Sequence, residues 1–162
     1  MQRLWTPWRM AYIKGDHRTK GCFLCDLPAL DPSHDEESLI LVRSTHTFVI
    51  LNKYPYNSGH LLVAPYRHMP NYEDITTSEH EEIAMLSSRC IRALNDVYVP
   101  QGYNIGLNQG IAAGAGVPDH VHSHIVPRWG GDTNYMTTVG ETKVLPEALE
   151  ETYGKLRPHF SE

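Results

Sequence analysis

The segment Asp119-His120-Val121-His122-Ser123-His124-Ile125-Val126-Pro127-Arg128-Trp129 constrains this chain more than any other. Its three histidines fall at every second position, the period of a β-strand, whose successive side chains point to opposite faces. His120, His122 and His124 are therefore expected on one face, each about 7 Å from the next. Directly upstream, Asn108 to Gly116 reads as a loop of small residues. Imidazoles beside backbone that permits close approach point to phosphate chemistry.

The rest of the sequence limits the setting. At 162 residues the chain is expected to be a single domain over 1–162, with 1–19 as an N-terminal helix and loop and 131–162 as a C-terminal extension. A net charge of −5 argues against broad binding to nucleic acid or an anionic membrane, while leaving room for a local anion pocket. No apolar run approaches the ~20 residues of a membrane span. Of three cysteines, two form Cys22-x-x-Cys25, which fits a metal site or a redox pair better than a secreted disulfide framework. A cytoplasmic location is expected.

Several segments punctuate into elements. Thr6 as N-cap and Pro7 at the first helical position predict a short N-terminal helix. Asp31 to Glu37 is acidic and turn-rich, expected as solvated surface. Leu39 to Arg43 and Thr47 to Leu51 read as a hairpin about Ser44-Thr45-His46, and His60 to Pro65 as a third strand. Thr76-Thr77-Ser78-Glu79 is a helix start. Ile83, Leu86, Ile91, Leu94 and Val97 then follow roughly helical spacing, predicting a long amphipathic helix to about Asp96. Tyr103 to Leu107 and His120 to Val126 are the fourth and fifth strands, and Pro146 to Leu156 a final short helix. Strands arriving in neighbouring pairs, with one long helix between, predict an α+β fold on a mainly antiparallel sheet.

Three readings of the histidines compete. Polar residues on the exposed face of a half-buried strand would explain two in alternation better than three. A single metal held by all three is strained, because the outer α-carbons stand roughly 13 Å apart while zinc–nitrogen bonds are about 2.0–2.1 Å. A division of labour fits better. Cys22 and Cys25 supply two thiolates, and His120 and His68 are the candidates to complete a tetrahedron; four protein ligands make such a zinc structural. A redox pair would be expected near a βαβ pattern, which this region lacks. His122 is then free to attack phosphorus, provided that one ring nitrogen is bare and the other hydrogen-bonded, for instance to a backbone carbonyl. His124 can bind a phosphate oxygen or assist the leaving group, with backbone amides around Gly114 and Gly116 as a phosphate cradle.

His120-Val121-His122-Ser123-His124-Ile125-Val126 resembles the histidine triad motif of alternating histidine and apolar residues, with Ser123 as a departure. Phe48 to Asn52 followed by Gly59 to Val63 is similar to the nucleotide-binding strand pair of that family. Leu4-Trp5-Thr6-Pro7-Trp8-Arg9-Met10 and Pro127-Arg128-Trp129-Gly130-Gly131-Asp132 resemble a microbial branch that includes diadenosine tetraphosphate phosphorylases and hydrolases. The resemblance implies a HIT-like fold: a five-stranded antiparallel sheet with one long and one or two short helices, dimerising into a ten-stranded sheet. It implies His122 as nucleophile on an α-phosphate, with His60 supporting the histidine row and Asn52 meeting the nucleotide. It places Asn108 on phosphate, and Cys22, Cys25, His68 and His120 on a structural zinc. Gly116 stands where many hydrolases of the family carry glutamine and some phosphorylases serine. The backbone amide and space there, with Gly114 and Ala115 adjoining, suit a second anion, so the expectation leans to phosphorolysis over hydrolysis.

Three functions are therefore expected to compete. The first is cleavage of a dinucleoside polyphosphate such as diadenosine tetraphosphate. The second is a nucleoside phosphoramidase, or a hydrolase of AMP-lysine type, within the same family. The third is a zinc-stabilised nucleotide-binding adaptor. The expected partners are a nucleotide substrate and a second copy of the chain.

Overall fold

The computed structural model of the chain describes residues 21–134 and 147–161. The expected N-terminal helix at Thr6-Pro7, and Pro146 at the start of the final helix, lie outside the described residues.

The strands are β1 (Ile40–Arg43), β2 (Thr47–Leu51), β3 (Leu61–Pro65), β4 (Gly102–Leu107) and β5 (Ser123–Arg128). They pair antiparallel in one sheet in the order β1-β2-β3-β5-β4. Helices α1 (Phe23–Asp26), α2 (Asp35–Ser38), α3 (Thr77–Tyr98) and α4 (Leu149–Leu156) accompany it.

Every residue of β2 and β3 is buried, so the period-two rule sorts their apolar side chains between two cores. Leu41, Val49, Leu51, Leu61 and Val63 meet Leu86, Cys90 and Leu94 of α3 and Tyr153 and Leu156 of α4. Ile40, Phe48, Ile50, Leu62 and Ala64 face the other way, onto Leu24 of α1, with Cys22, Phe23 and Leu27 beside it. The knuckle at Cys22–Cys25 is thus a second layer covering the face opposite α3. Residues 52, 60 and 124 follow the parity of Ile50 and Leu62, and Leu62 pairs directly with His124. Asn52, His60 and His124 therefore belong to the knuckle side of the sheet.

The long helix begins as expected. Thr76 caps it with its hydroxyl accepting from Glu79 N–H, while the Glu79 carboxylate accepts from Thr76 N–H, a capping box. It runs two residues past Asp96, and Val99 closes it in the left-handed region at φ 47°.

Two differences from the expected elements have local causes. The fifth strand begins at Ser123, not His120. Before that point the hydrogen bonds leave the ladder: Val121 N–H donates to Met69 O at 2.7 Å and His120 Nε2–H to Pro65 O at 2.9 Å. The acidic stretch is solvated surface as expected, exposed at every residue but the half-buried Asp35, yet it carries short helices. Asp31 accepts from Ser33 N–H, Pro32 opens a turn of 3₁₀ helix, and α2 follows with Asp35 paired to Arg43 at 2.8 Å.

Candidate functional site

His120 and His122 sit in the extended segment leading into β5, and His124 is the second residue of that strand. His122 is 5% exposed, and its Nδ1 lies 2.8 Å from His120 O. A carbonyl only accepts, so Nδ1 carries the proton and Nε2 holds the lone pair. Burial pulls the His122 pKa below its usual value, with the carbonyl bond opposing in part; the ring is neutral at physiological pH.

The next two rings are assigned by the same logic. His60, fully buried, receives Tyr56 N–H at its Nδ1 (3.1 Å), with Asn52 Nδ2 3.2 Å from the same atom. Its proton is therefore on Nε2, which lies 2.9 Å from His124 Nδ1. Neutral His124 then carries its own proton on Nε2. The rings of His122 and His124 stand 4.8 Å apart between centroids, and Tyr56 stacks on His60 at 4.7 Å. A lone pair on His122 beside a proton donor on His124 can perform nucleophilic displacement at phosphorus, with a hydrogen bond offered to an oxygen.

Asn52 is held in place on both sides, since its Oδ1 accepts from Tyr54 N–H at 2.9 Å. Asn108 follows β4, whose Leu107 pairs with Ser123 between the two catalytic candidates. That pairing roots the loop to Gly116 beside the histidines. Within the loop, Gly114 is left-handed (φ 84°), a conformation that glycine adopts without penalty. Gly114 N–H and Ala115 N–H donate to Ile111 O and Gly110 O, closing the loop's own turn.

On the knuckle side, Cys22, Cys25, His68 and His120 bring their ligand atoms within 4.8 Å of one another. Cys22 Sγ and Cys25 Sγ stand 3.3 and 3.4 Å from His120 Nδ1, and Cys25 Sγ 3.3 Å from His68 Nδ1. A tetrahedral zinc with ordinary bond lengths spaces sulfur and nitrogen about 3.5 Å apart, so these residues fit the ion. His120 donates Nε2–H to Pro65 O, which turns the Nδ1 lone pair toward the sulfurs and fixes the ring as a ligand's should be. Burial and the neighbouring Cys22 thiol push Cys25 up to about 11, a rise that a bound cation reverses.

A buried amide near the site and its half-buried carboxylate partner escaped the sequence reading. Asn57 is 5% exposed and donates to Pro127 O and Asp132 Oδ2, both at 2.8 Å. Asp132 also takes Arg128 Nε at 2.6 Å, so Arg128 is committed away from the histidines. The motif ending at Asp132 was the available signal, but nothing in the sequence pairs it with Asn57.

Comparison with known proteins adds to the geometry. A family model described as HIT domain matches residues 33–131. An AP-4-A phosphorylase of Mycobacterium tuberculosis is 41% identical over 157 residues, covering 94% of this chain and 80% of that protein. An asymmetrical bis(5'-nucleosyl)-tetraphosphatase of Schizosaccharomyces pombe is 31% identical over 119 residues, or 74% of this chain and 62% of that one. Among solved structures, a zinc-bound histidine triad family protein from Mycobacterium smegmatis superposes with a TM-score of 0.65 at 26% identity, covering 85% of this chain and 91% of its own. A histidine triad nucleotide-binding protein from Sulfolobus tokodaii gives 0.66 at 25% identity, covering 86% and 91%.

Proposed function

The chain belongs to the HIT domain family, and on that premise we propose that it is an enzyme splitting dinucleoside polyphosphates at an α-phosphate through His122. The observation that carries this reading is the 2.8 Å bond from His122 Nδ1–H to His120 O, which bares Nε2 for attack. The Nε2 lone pair forms a bond to phosphorus while the bond from phosphorus to the leaving oxygen breaks. His124 Nε2–H donates a hydrogen bond to that oxygen as negative charge develops. A nucleotidyl group remains on His122 until an acceptor takes it.

His60 fixes His124 through Nε2–H, and Asn52 fixes His60 while bordering the nucleotide side. Asn108 and Gly116 are assigned to the phosphates, with Gly114 and Ala115 shaping the turn between them. Cys22, Cys25, His68 and His120 are assigned to one zinc, which ties the knuckle to the sheet and takes no part in the chemistry, because four protein ligands leave no open position. Thiolates kept for a metal suit a reducing, cytoplasmic setting. Strand β4 ends the sheet with Ile105 52% exposed, and we assign that edge to a second copy, giving ten strands. A monomeric mass by sedimentation at micromolar concentration would remove that assignment.

The acceptor is assigned to inorganic phosphate. The relative named AP-4-A phosphorylase supports this, as does a glycine, without a side chain, at position 116. With diadenosine tetraphosphate and labelled phosphate, the label is expected in the β-position of ADP, with ATP as the other product. AMP and ATP at an unchanged rate with no label incorporated would make the enzyme a hydrolase. No turnover of either kind, with an adenylyl-amine consumed instead, would make it a phosphoramidase.

A further inference from the structure

The motif from Pro127 to Asp132 has no task in the chemistry above, yet its last residue is among the most heavily hydrogen-bonded carboxylates in the described residues. Asp132 accepts from Arg128 Nε at 2.6 Å and Nη2 at 2.9 Å, from Asn57 Nδ2 at 2.8 Å and from Trp129 N–H at 3.3 Å. The Arg128 guanidinium beside it holds its carboxyl well below the usual carboxylate range, so it is charged. Staples of this kind on a surface turn stabilise little. This one reaches a buried amide 75 residues away in sequence.

Asn57 lies in the strap of residues 52–59 between β2 and β3. Its Nδ2 hydrogens go to Asp132 and to Pro127 O. Its carbonyl accepts His60 N–H at 3.1 Å, and the adjacent Tyr56 N–H donates to His60 Nδ1 at 3.1 Å. The strap is tightly seated, since a Cβ on Gly59 (φ 77°) would come within 2.7 Å of Leu94. The end of β5 thus holds the strap, and the strap's amide, together with Asn52 Nδ2 at 3.2 Å, decides which nitrogen of His60 is bare.

We infer that Asp132 and Asn57 are positioning residues for the His60–His124 pair, clamping the strap so that His60 is protonated on Nε2 and His124 in turn keeps its proton on Nε2 for the leaving oxygen. Without the clamp, Tyr56 N–H withdraws from His60 Nδ1 and the opposite tautomer becomes accessible. His124 Nδ1 then loses its donor, and its ring is no longer fixed for the leaving group. This inference rests on His122 as the nucleophile. It adds residues that touch neither substrate nor reacting atoms.

The test uses the full chain with AMP esters of phenol and of 4-nitrophenol. The two leaving groups share a shape but differ in how much they need a hydrogen-bond donor. Asn57→Ala and Asp132→Asn are each expected to lower kcat for the phenyl ester by about tenfold or more. The nitrophenyl ester should fall by no more than about twofold, with KM for both nearly unchanged. Two-dimensional ¹⁵N spectra of the histidine rings should change from Nε2–H on His60 and His124 in the wild type to a mixture of tautomers in the variants. Equal losses with both esters and unchanged tautomers would overturn the positioning role and leave a structural staple. If Asp132→Asn fails to fold, Asn57→Ser carries the same readouts. Wild-type protein that consumes neither ester would overturn the functional reading instead, and the tautomer measurement would still decide the clamp.

Discussion

His122 and His124 have identical side chains two positions apart, yet a backbone carbonyl at one and the His60 ring at the other give them opposite protonation patterns. His122 gives its Nδ1 proton to His120 O at 2.8 Å, while His124 receives a proton donor at Nδ1 from His60 at 2.9 Å. In the proposed mechanism the first acts as an acceptor and the second as a donor, which is the pairing that displacement at phosphorus needs. Replacing His122 by Ala removes the attacking atom and no metal ligand. Turnover is therefore expected to fall at least a thousandfold, roughly the scale seen when a nucleophile is deleted elsewhere, with metal content and melting temperature close to wild type. Mass spectrometry of protein quenched during turnover checks the assignment: an adduct on His60 or His124 would mean that the wrong imidazole was named. Alternation alone pointed to these residues as candidates, and a backbone carbonyl was the expected partner for the second nitrogen of His122. The carbonyl is a local one, two residues back, but the donor at His124 lies 64 residues away, a contact that no local pattern records.

Helix α3 was readable from its spacing and from Thr76, because capping and amphipathic period are local properties. Its two buried glutamates were not, since a glutamate on a helix ordinarily marks the solvated face. Burial pushes the Glu82 pKa up, but hydrogen bonds from Thr47 Oγ1, Ser44 Oγ, His46 N–H and Thr45 N–H outweigh it and hold the group charged. The helix thereby fixes the β1–β2 turn. Glu79 is held down to about 2, chiefly by Arg67, against the cost of burial and with help from Thr76. A depressed carboxylate stabilises the fold above its unfolded pKa of about 4.3, and that contribution is lost as pH falls toward 2. Arg67 is 53% exposed, so solvent screening keeps the contribution of the pair small. Arg67→Met should therefore lower stability at pH 7 and lose less further stability than wild type between pH 5 and pH 2. Urea titrations at those three pH values measure it; parallel losses in both proteins would mean that the pair carries no pH dependence. The start of β5 was misread because the alternation continues through His120, whereas the hydrogen bonds there leave the ladder: Val121 N–H donates to Met69 O and His120 Nε2–H to Pro65 O.

At the scale of the whole molecule, the described residues place a different layer on each face of the sheet, and the one opposite α3 depends on the knuckle. Leu24, with Cys22, Phe23 and Leu27 around it, is what covers Ile40, Phe48, Ile50 and Leu62, and α1 is only four residues long. So short a helix has no independent stability, and most of what holds it must come from tertiary anchoring. The proposed zinc supplies that anchor, joining Cys22 and Cys25 to His68 beyond β3 and to His120 ahead of β5. His120 is also the residue whose carbonyl holds His122 Nδ1, so the same cluster that covers one core lies directly behind the proposed nucleophile. Cys22→Ser removes one ligand with little change of shape and is expected to release the metal. Zinc-finger peptides gain about 10 kcal/mol or more from their ion because they have no other core. Here the α3 side of the sheet is packed independently of the knuckle, and the loss should be smaller. Even about 3 kcal/mol lowers the melting temperature by roughly 6–12 °C in a chain of this size. The variant should therefore show less than a tenth of the zinc of wild type by elemental analysis, melt earlier, and expose α1 to proteolysis before α3. A Cys22–Cys25 disulfide without metal in wild-type protein purified under reducing conditions would overturn the assignment, and the knuckle would then have to be held by its apolar contacts alone.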